Sequence, residues 1–151
     1  MPQGRVHTYL ECASSLDDNS LVVRETPQVI LVVEDDGAVR APLVKFLQMR
    51  QYVVVAVETA DEGVAAIASH KPSAALVDLN LRTGSGRDVL AAMPAETPVI
   101  IFSGLRVEVT EFESRPRTII VPKPYSLITL MDTLQDMLES GAGGRFGRAA
   151  S

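Results

Sequence analysis

Tryptophan is missing from this 151-residue chain, aromatic residues make up only 5% of it, and cysteine occurs once, at Cys12. A single cysteine excludes an internal disulfide and suits a reducing compartment. With a hydrophobic content of 46% and few aromatics, the core must be built mainly from Val, Leu, Ile and Ala. An excess of positive charge is missing too. The formal net charge is -5 and the pI about 5.0, which argues against a broad surface for the phosphate backbone of nucleic acid. No apolar run approaches membrane-spanning length, and the N-terminal stretch MPQGRVHTYLECASS lacks the apolar centre of a signal peptide. A soluble cytoplasmic protein with no membrane contact is expected.

The length suits one domain with a substantial core. Residues 1–26 show no sustained period and stop before Pro27, so they read as an extension. Residues 141–151, GAGGRFGRAAS, read as a flexible Gly-rich tail. Between them, residues 27–140 alternate short apolar runs with helical patterns. The runs are V29-I-L-V-V33, Y52-V-V-V-A-V57, A74-A-L-V77, V99-I-I-F102 and T118-I-I-V121. They are apolar throughout, as strands covered on both faces should be.

The intervening segments carry helix signals. Val39, Leu43, Phe46 and Leu47 share one face of the first, where Pro42 is expected to delay or bend the helix start. T59-A-D-E62 is a capping box, a third helix is predicted from Arg87 to Met93, and Ser126 caps a last helix carrying Leu127, Leu130, Met131, Leu134 and Leu138. The segment from Leu105 to Ser114 is rich in β-branched residues and is closed by Pro116, so its helix should be short or mobile. Five β-α repeats predict a parallel sheet with helices on both faces, with the site beyond the carboxyl ends of the strands.

The residues at those ends complement one another. The first run ends in Glu34-Asp35-Asp36, the third in Asp78, the fourth in Ser103-Gly104 and the fifth in Lys123, set between two prolines. Taken singly, each has an ordinary explanation: Asp36 as a helix cap, Asp78 as a turn former, Ser103-Gly104 as a turn, Lys123 as a solvated cation. Together, three carboxylates at one edge could not all stay ionised without a cation, and Mg²⁺ (or Mn²⁺) is the natural choice. A carboxylate beside such an ion, a lysine and a hydroxyl is arranged to take up a phosphoryl group, with Asp78 as nucleophile.

V-V-E-D-D, L-V-D-L-N, I-F-S-G and V-P-K-P-Y, in this order and spacing, resemble the receiver domain of two-component response regulators over about residues 28–139. The resemblance implies a flavodoxin-like doubly wound fold with strand order 2-1-3-4-5. It implies Asp78 as phosphoacceptor, and Glu34 and Asp35 as the acidic pair. The metal ligands would be Asp35, Asp78 and the backbone carbonyl of Asn80. Lys123 would pair with Asp78 and then with the phosphoryl group, over a cis Lys123–Pro124 bond. Ser103 would turn inward to the phosphoryl group, with Gly104 leaving it room. A sensor histidine kinase or histidine phosphotransfer protein would be the donor, a downstream effector protein the target. The resemblance implies no enzyme beyond self-catalysed phosphotransfer and dephosphorylation.

The family often places an aromatic switch residue three positions before the lysine, where this sequence has Ile120. Signalling is therefore expected through reordering of Leu105 to Arg117. The LRTGSGRDVL segment is similar to that of stand-alone α-proteobacterial receivers, and no output domain is expected after the last helix. The alternative is a receiver fragment of a longer regulator with a DNA-binding or enzymatic output. A haloacid-dehalogenase-like phosphatase fits poorly, because Asp78-Leu79-Asn80 lacks the second aspartate of that family's D-x-D and Glu34-Asp35 precede the lysine. A flavodoxin-like nucleotide or flavin binder lacks its Gly-rich loop after the first strand.

Overall fold

The computed structural model describes residues 27–104, 112 and 114–140. Five strands, β1 (Val29–Val33), β2 (Val53–Val57), β3 (Ala74–Asp78), β4 (Val99–Ser103) and β5 (Thr118–Pro122), form one parallel sheet in the order β2-β1-β3-β4-β5. Among the described residues, four helices accompany it: α1 (Gly37–Met49), α2 (Ala60–His70), α3 (Gly86–Ala92) and α4 (Leu127–Glu139). The short or mobile helix expected between β4 and β5 falls largely on residues outside the described ones, as do the extension and the tail.

Continuous apolar strands bury both faces, and their period of two divides the core. Leu31, Val33, Ala75, Val77, Val99 and Ile101 join residues of α2 and α3 and Phe112 on one side. Ile30, Val32, Ala74, Leu76, Ile100 and Phe102 join α1 and α4 on the other.

The helix starts follow local chemistry. Thr59 and Glu62 form both halves of the capping box, and Ser126 accepts from the Thr129 amide. Pro42 does not delay α1. The helix begins at Gly37, and Pro42 lies inside it. Asp36 satisfies the Ala38 amide at the start, and Leu43 and Leu47 are fully buried beyond, so cap and packing outweigh the one backbone bond the proline forfeits.

Two glycines seat the β3–α3 connection against the sheet. Gly84 has φ +85°, in the left-handed region. A Cβ on Gly86 would lie 2.5 Å from the Asp78 carbonyl oxygen and 2.9 Å from both Leu79 Cα and Val77 Cγ1. Gly86→Ala must therefore push α3 away from β3. It should lower stability by about 1–3 kcal/mol, or roughly 2–12 °C in Tm by thermal denaturation; an unchanged Tm would show that the helix has room to move.

Candidate functional site

The chain runs outward from β1 to β2, then returns to β3 and on to β4 and β5, so the crevice between β1 and β3 is the switch point of the sheet. Glu34 and Asp35 leave β1 there, and Asp78 ends β3. Each offers one carboxylate oxygen, and the three lie within 4.8 Å of one another. Glu34 is 0% exposed and Asp78 3%. Lys123 follows directly on the end of β5, just before the cis Lys123–Pro124 bond, and donates to Asp78 Oδ2 at 3.0 Å and to Glu34 Oε1 at 3.5 Å.

Each carboxylate is held by backbone as well as by charge. Asp78 Oδ1 accepts from the Asn80 amide at 2.9 Å, and Glu34 Oε2 accepts from the Asp36 amide at 3.0 Å. Asp35 Oδ2 accepts from the Arg82 amide at 2.6 Å, with Arg82 Nε 3.9 Å away. Ser103 is buried at the end of β4, where its hydroxyl oxygen accepts from Asn80 Nδ2 at 2.9 Å. At the next residue, Gly104, a Cβ would meet no described atom within 4 Å. Asp36, by contrast, turns away to cap α1.

Burial sets the protonation balance. It raises the Glu34 carboxyl above its ordinary value, and the neighbouring Asp78 charge adds to this against the opposing pull of the Asp36 amide and Lys123. For Lys123 burial alone would lower the ammonium, but hydrogen bonding to Asp78 and the charges of Asp78 and Glu34 together outweigh it and raise the group. The Tyr125 phenol is pushed up to about 12, first by burial and then by the Glu34 and Asp78 charges, so it is neutral at physiological pH.

Three carboxylates face one ammonium in this crevice. Two are almost completely buried, and an uncompensated buried charge is costly. The donor set, all oxygen and all at one edge, fits a hard divalent cation.

A sequence model of the family described as the response regulator receiver domain matches residues 30–135. The chain belongs to the response regulator receiver domain family. It is a signalling domain of two-component systems, and membership sets aside the phosphatase and flavin-binder alternatives. Among curated relatives it is 33% identical over 78 residues to the acid tolerance regulatory protein ActR of Rhizobium meliloti, covering 50% of this chain and 40% of ActR. It is 33% identical over 81 residues to the regulatory protein VirG of Rhizobium rhizogenes, covering 52% of this chain and 34% of VirG. The matches thus span well under half the length of these two relatives.

Solved structures share the fold. A CheY-like receiver domain protein from Methanospirillum hungatei superposes with a TM-score of 0.71 at 24% identity, covering 78% of this chain and 98% of its own. The receiver domain of a Luxo repressor protein from Vibrio parahaemolyticus gives 0.68 at 23% identity, covering 77% and 93%.

Glu34, Asp35, Asp78 and Lys123 meet in one crevice, and Asn80 links Ser103 to them, its side chain donating to the Ser103 hydroxyl and its backbone amide to Asp78. Ile120 does not: it is half-buried and packs with the α2–α3 side of the core. Several contributors escaped sequence reasoning. Arg40 donates to the Glu34 carbonyl at 2.7 Å and pairs with Glu58 at 3.1 Å, tying the acidic loop to the end of β2. Arg82 braces Asp35, and Phe102, with Tyr125 packed against it, lies beside Lys123. The closely spaced glycines of LRTGSGRDVL were the available signal for the Arg82 loop; nothing local marks Arg40. Among the described residues, no helix is long and apolar enough to cross a membrane.

Proposed function

We propose that this receiver takes a phosphoryl group onto Asp78 from a sensor histidine kinase or histidine phosphotransfer protein and changes conformation to regulate a partner protein in the cytoplasm. The observation that carries this is the buried Asp78 carboxylate, 3.0 Å from Lys123 Nζ and grouped with Glu34 and Asp35. A carboxylate oxygen of Asp78 attacks phosphorus and forms the P–O bond. The P–N bond of the donor phosphohistidine breaks, and its electron pair returns to the imidazole, which takes up a proton. Lys123 moves its charge from Asp78 to a phosphoryl oxygen, and the Ser103 hydroxyl turns toward another, the missing side chain of Gly104 leaving it room. Hydrolysis of the aspartyl phosphate resets the domain.

Glu34, Asp35, Asp78 and the Asn80 carbonyl would hold Mg²⁺ or Mn²⁺. Once bound, the ion supplies positive charge that neutralises the phosphoryl oxygens. The Arg82 amide keeps Asp35 oriented for this, and Glu34 stays close to Lys123. With Ile120 in the place of a switch aromatic, we assign the outgoing change to residues 105–117 and to the surroundings of Lys123.

The deciding experiment exposes the full chain to acetyl phosphate with Mg²⁺ and maps the product by mass spectrometry. One phosphoryl group on the peptide that carries Asp78 is expected; no label, or a label elsewhere, overturns the reading. Cation binding is checked separately. At tenfold excess over Kd, Mg²⁺ should stabilise the fold by about 1.4 kcal/mol and raise Tm by roughly 3–6 °C. Asp35→Asn should remove most of that increase; if the increase persists, Asp35 is not a ligand.

A further inference from the structure

Lys123 has three N–H donors, and carboxylates take two of them. Its Nζ also lies 5.5 Å from the centroid of the Phe102 ring, within cation–π range. Phe102 is fully buried on β4 and is the register partner of Asp78 across the β3–β4 ladder, so the two side chains share a face. The period of two puts Glu34, Asp78, Phe102 and Lys123 all on the α1–α4 side of the sheet, and Ile120 on the other. Tyr125 packs against Phe102 with centroids 5.3 Å apart and planes tilted by 52°.

We propose that Phe102 is a positioning residue for Lys123: its ring, braced by Tyr125, is the third partner of the ammonium and holds that charge beside Asp78. The two carboxylates hold the ammonium by charge, and a long, flexible lysine stem gains a further restraint from an apolar surface beside it. The braced ring provides that surface without adding a competing charge, since the Tyr125 phenol is neutral. The aromatic contribution to this site thus comes from β4 on the α1–α4 side, not from position 120 on β5. This inference rests on the proposed role of Lys123 in phosphoryl binding.

The chain has three lysines, Lys45, Lys71 and Lys123, so lysine-labelled protein gives three ε-methylene signals in a proton–carbon NMR spectrum. Lys123→Arg identifies the one from Lys123. In the unmodified protein that signal should stand upfield of the other two, displaced by the ring current. Phe102→Leu should return it to their position. Tyr125→Leu, at a half-buried site, should move it part of the way, and carries the test should Phe102→Leu fail to fold. A Lys123 signal that sits with the others, or that neither variant moves, overturns the proposal. In the labelling assay at saturating Mg²⁺, Phe102→Leu should slow acetyl phosphate incorporation about three- to tenfold, the rate equivalent of one cation–π contact. Cation affinity should stay unchanged, and the variant should add no further slowing in a Lys123→Ala background. Equal slowing in both backgrounds would mark a merely structural role. The NMR arm uses no phosphate, so a wild-type chain that takes no label would sink the functional reading and leave the positioning test standing.

Discussion

Asp78→Asn should reduce phosphoryl incorporation from acetyl phosphate to background while leaving the protein folded. The amide of asparagine has no carboxylate oxygen with which to form the acyl phosphate, and Ser103 and Lys123 cannot replace that nucleophile. The fold should survive because the substitution is close to isosteric. The side-chain oxygen can still accept from the Asn80 amide, as Asp78 Oδ1 does at 2.9 Å, and Lys123 keeps Glu34 as its counter-ion. Removing one of three clustered negative charges also relieves repulsion, so thermal stability without Mg²⁺ should hold or rise. Wild-type labelling in the variant would remove Asp78 as the acceptor. Loss of labelling together with loss of the fold would make the substitution uninformative about chemistry, so Tm is measured on the same sample.

Lys123→Ala should have the second largest effect, of a different kind. Its side chain is 27% exposed, whereas the side chains of its partners Glu34 and Asp78 are 1% and 4% exposed. Deleting the lysine leaves two buried carboxylates without their counter-charge. Breaking a fully buried pair costs about 3–5 kcal/mol, and partial access of water here reduces the expected loss to about 1–3 kcal/mol. Saturating Mg²⁺ should recover part of this, because the same carboxylates are the proposed ligands of the ion. Some labelling should remain, since Asp78 is intact. The amide NMR shifts that accompany labelling in the wild type should be largely lost, because no cation then moves from Asp78 to the phosphoryl group. An unchanged Tm without Mg²⁺, or a full wild-type set of shifts on labelling, would remove Lys123 from that role.

Much of the architecture was legible because its signals are local. Each continuous apolar run became a strand, its ends shifted by a residue at most, since a strand buried on both faces must be apolar at every position. The Thr59–Glu62 box and the Asp36 and Ser126 caps were readable because their partners lie within four residues. Pro42 was read too literally. Its cost is local, whereas the burial of Leu43 and Leu47 that offsets it is set by the sheet and by α4. The grouping of Glu34, Asp35, Asp78 and Lys123 followed from placing strand ends along one edge, but the restraints on that group did not. Arg40 reaches Glu58 across 18 positions and the Arg82 amide reaches Asp35 across 47, and no periodicity reports contacts of that kind.

By itself the sequence determined the alternation of strand and helix, the parallel sheet, and which chemical groups stand at its carboxyl edge, because hydrophobic period and strand-end position are properties of short segments. Tertiary structure alone decided that Glu34 is more buried than Asp35, that Lys123 bridges Glu34 and Asp78, and that Phe102 rather than the residue at 120 lies beside the ammonium. Those outcomes depend on distance, dielectric and the face a side chain occupies, and each arises only when segments far apart in the chain pack together.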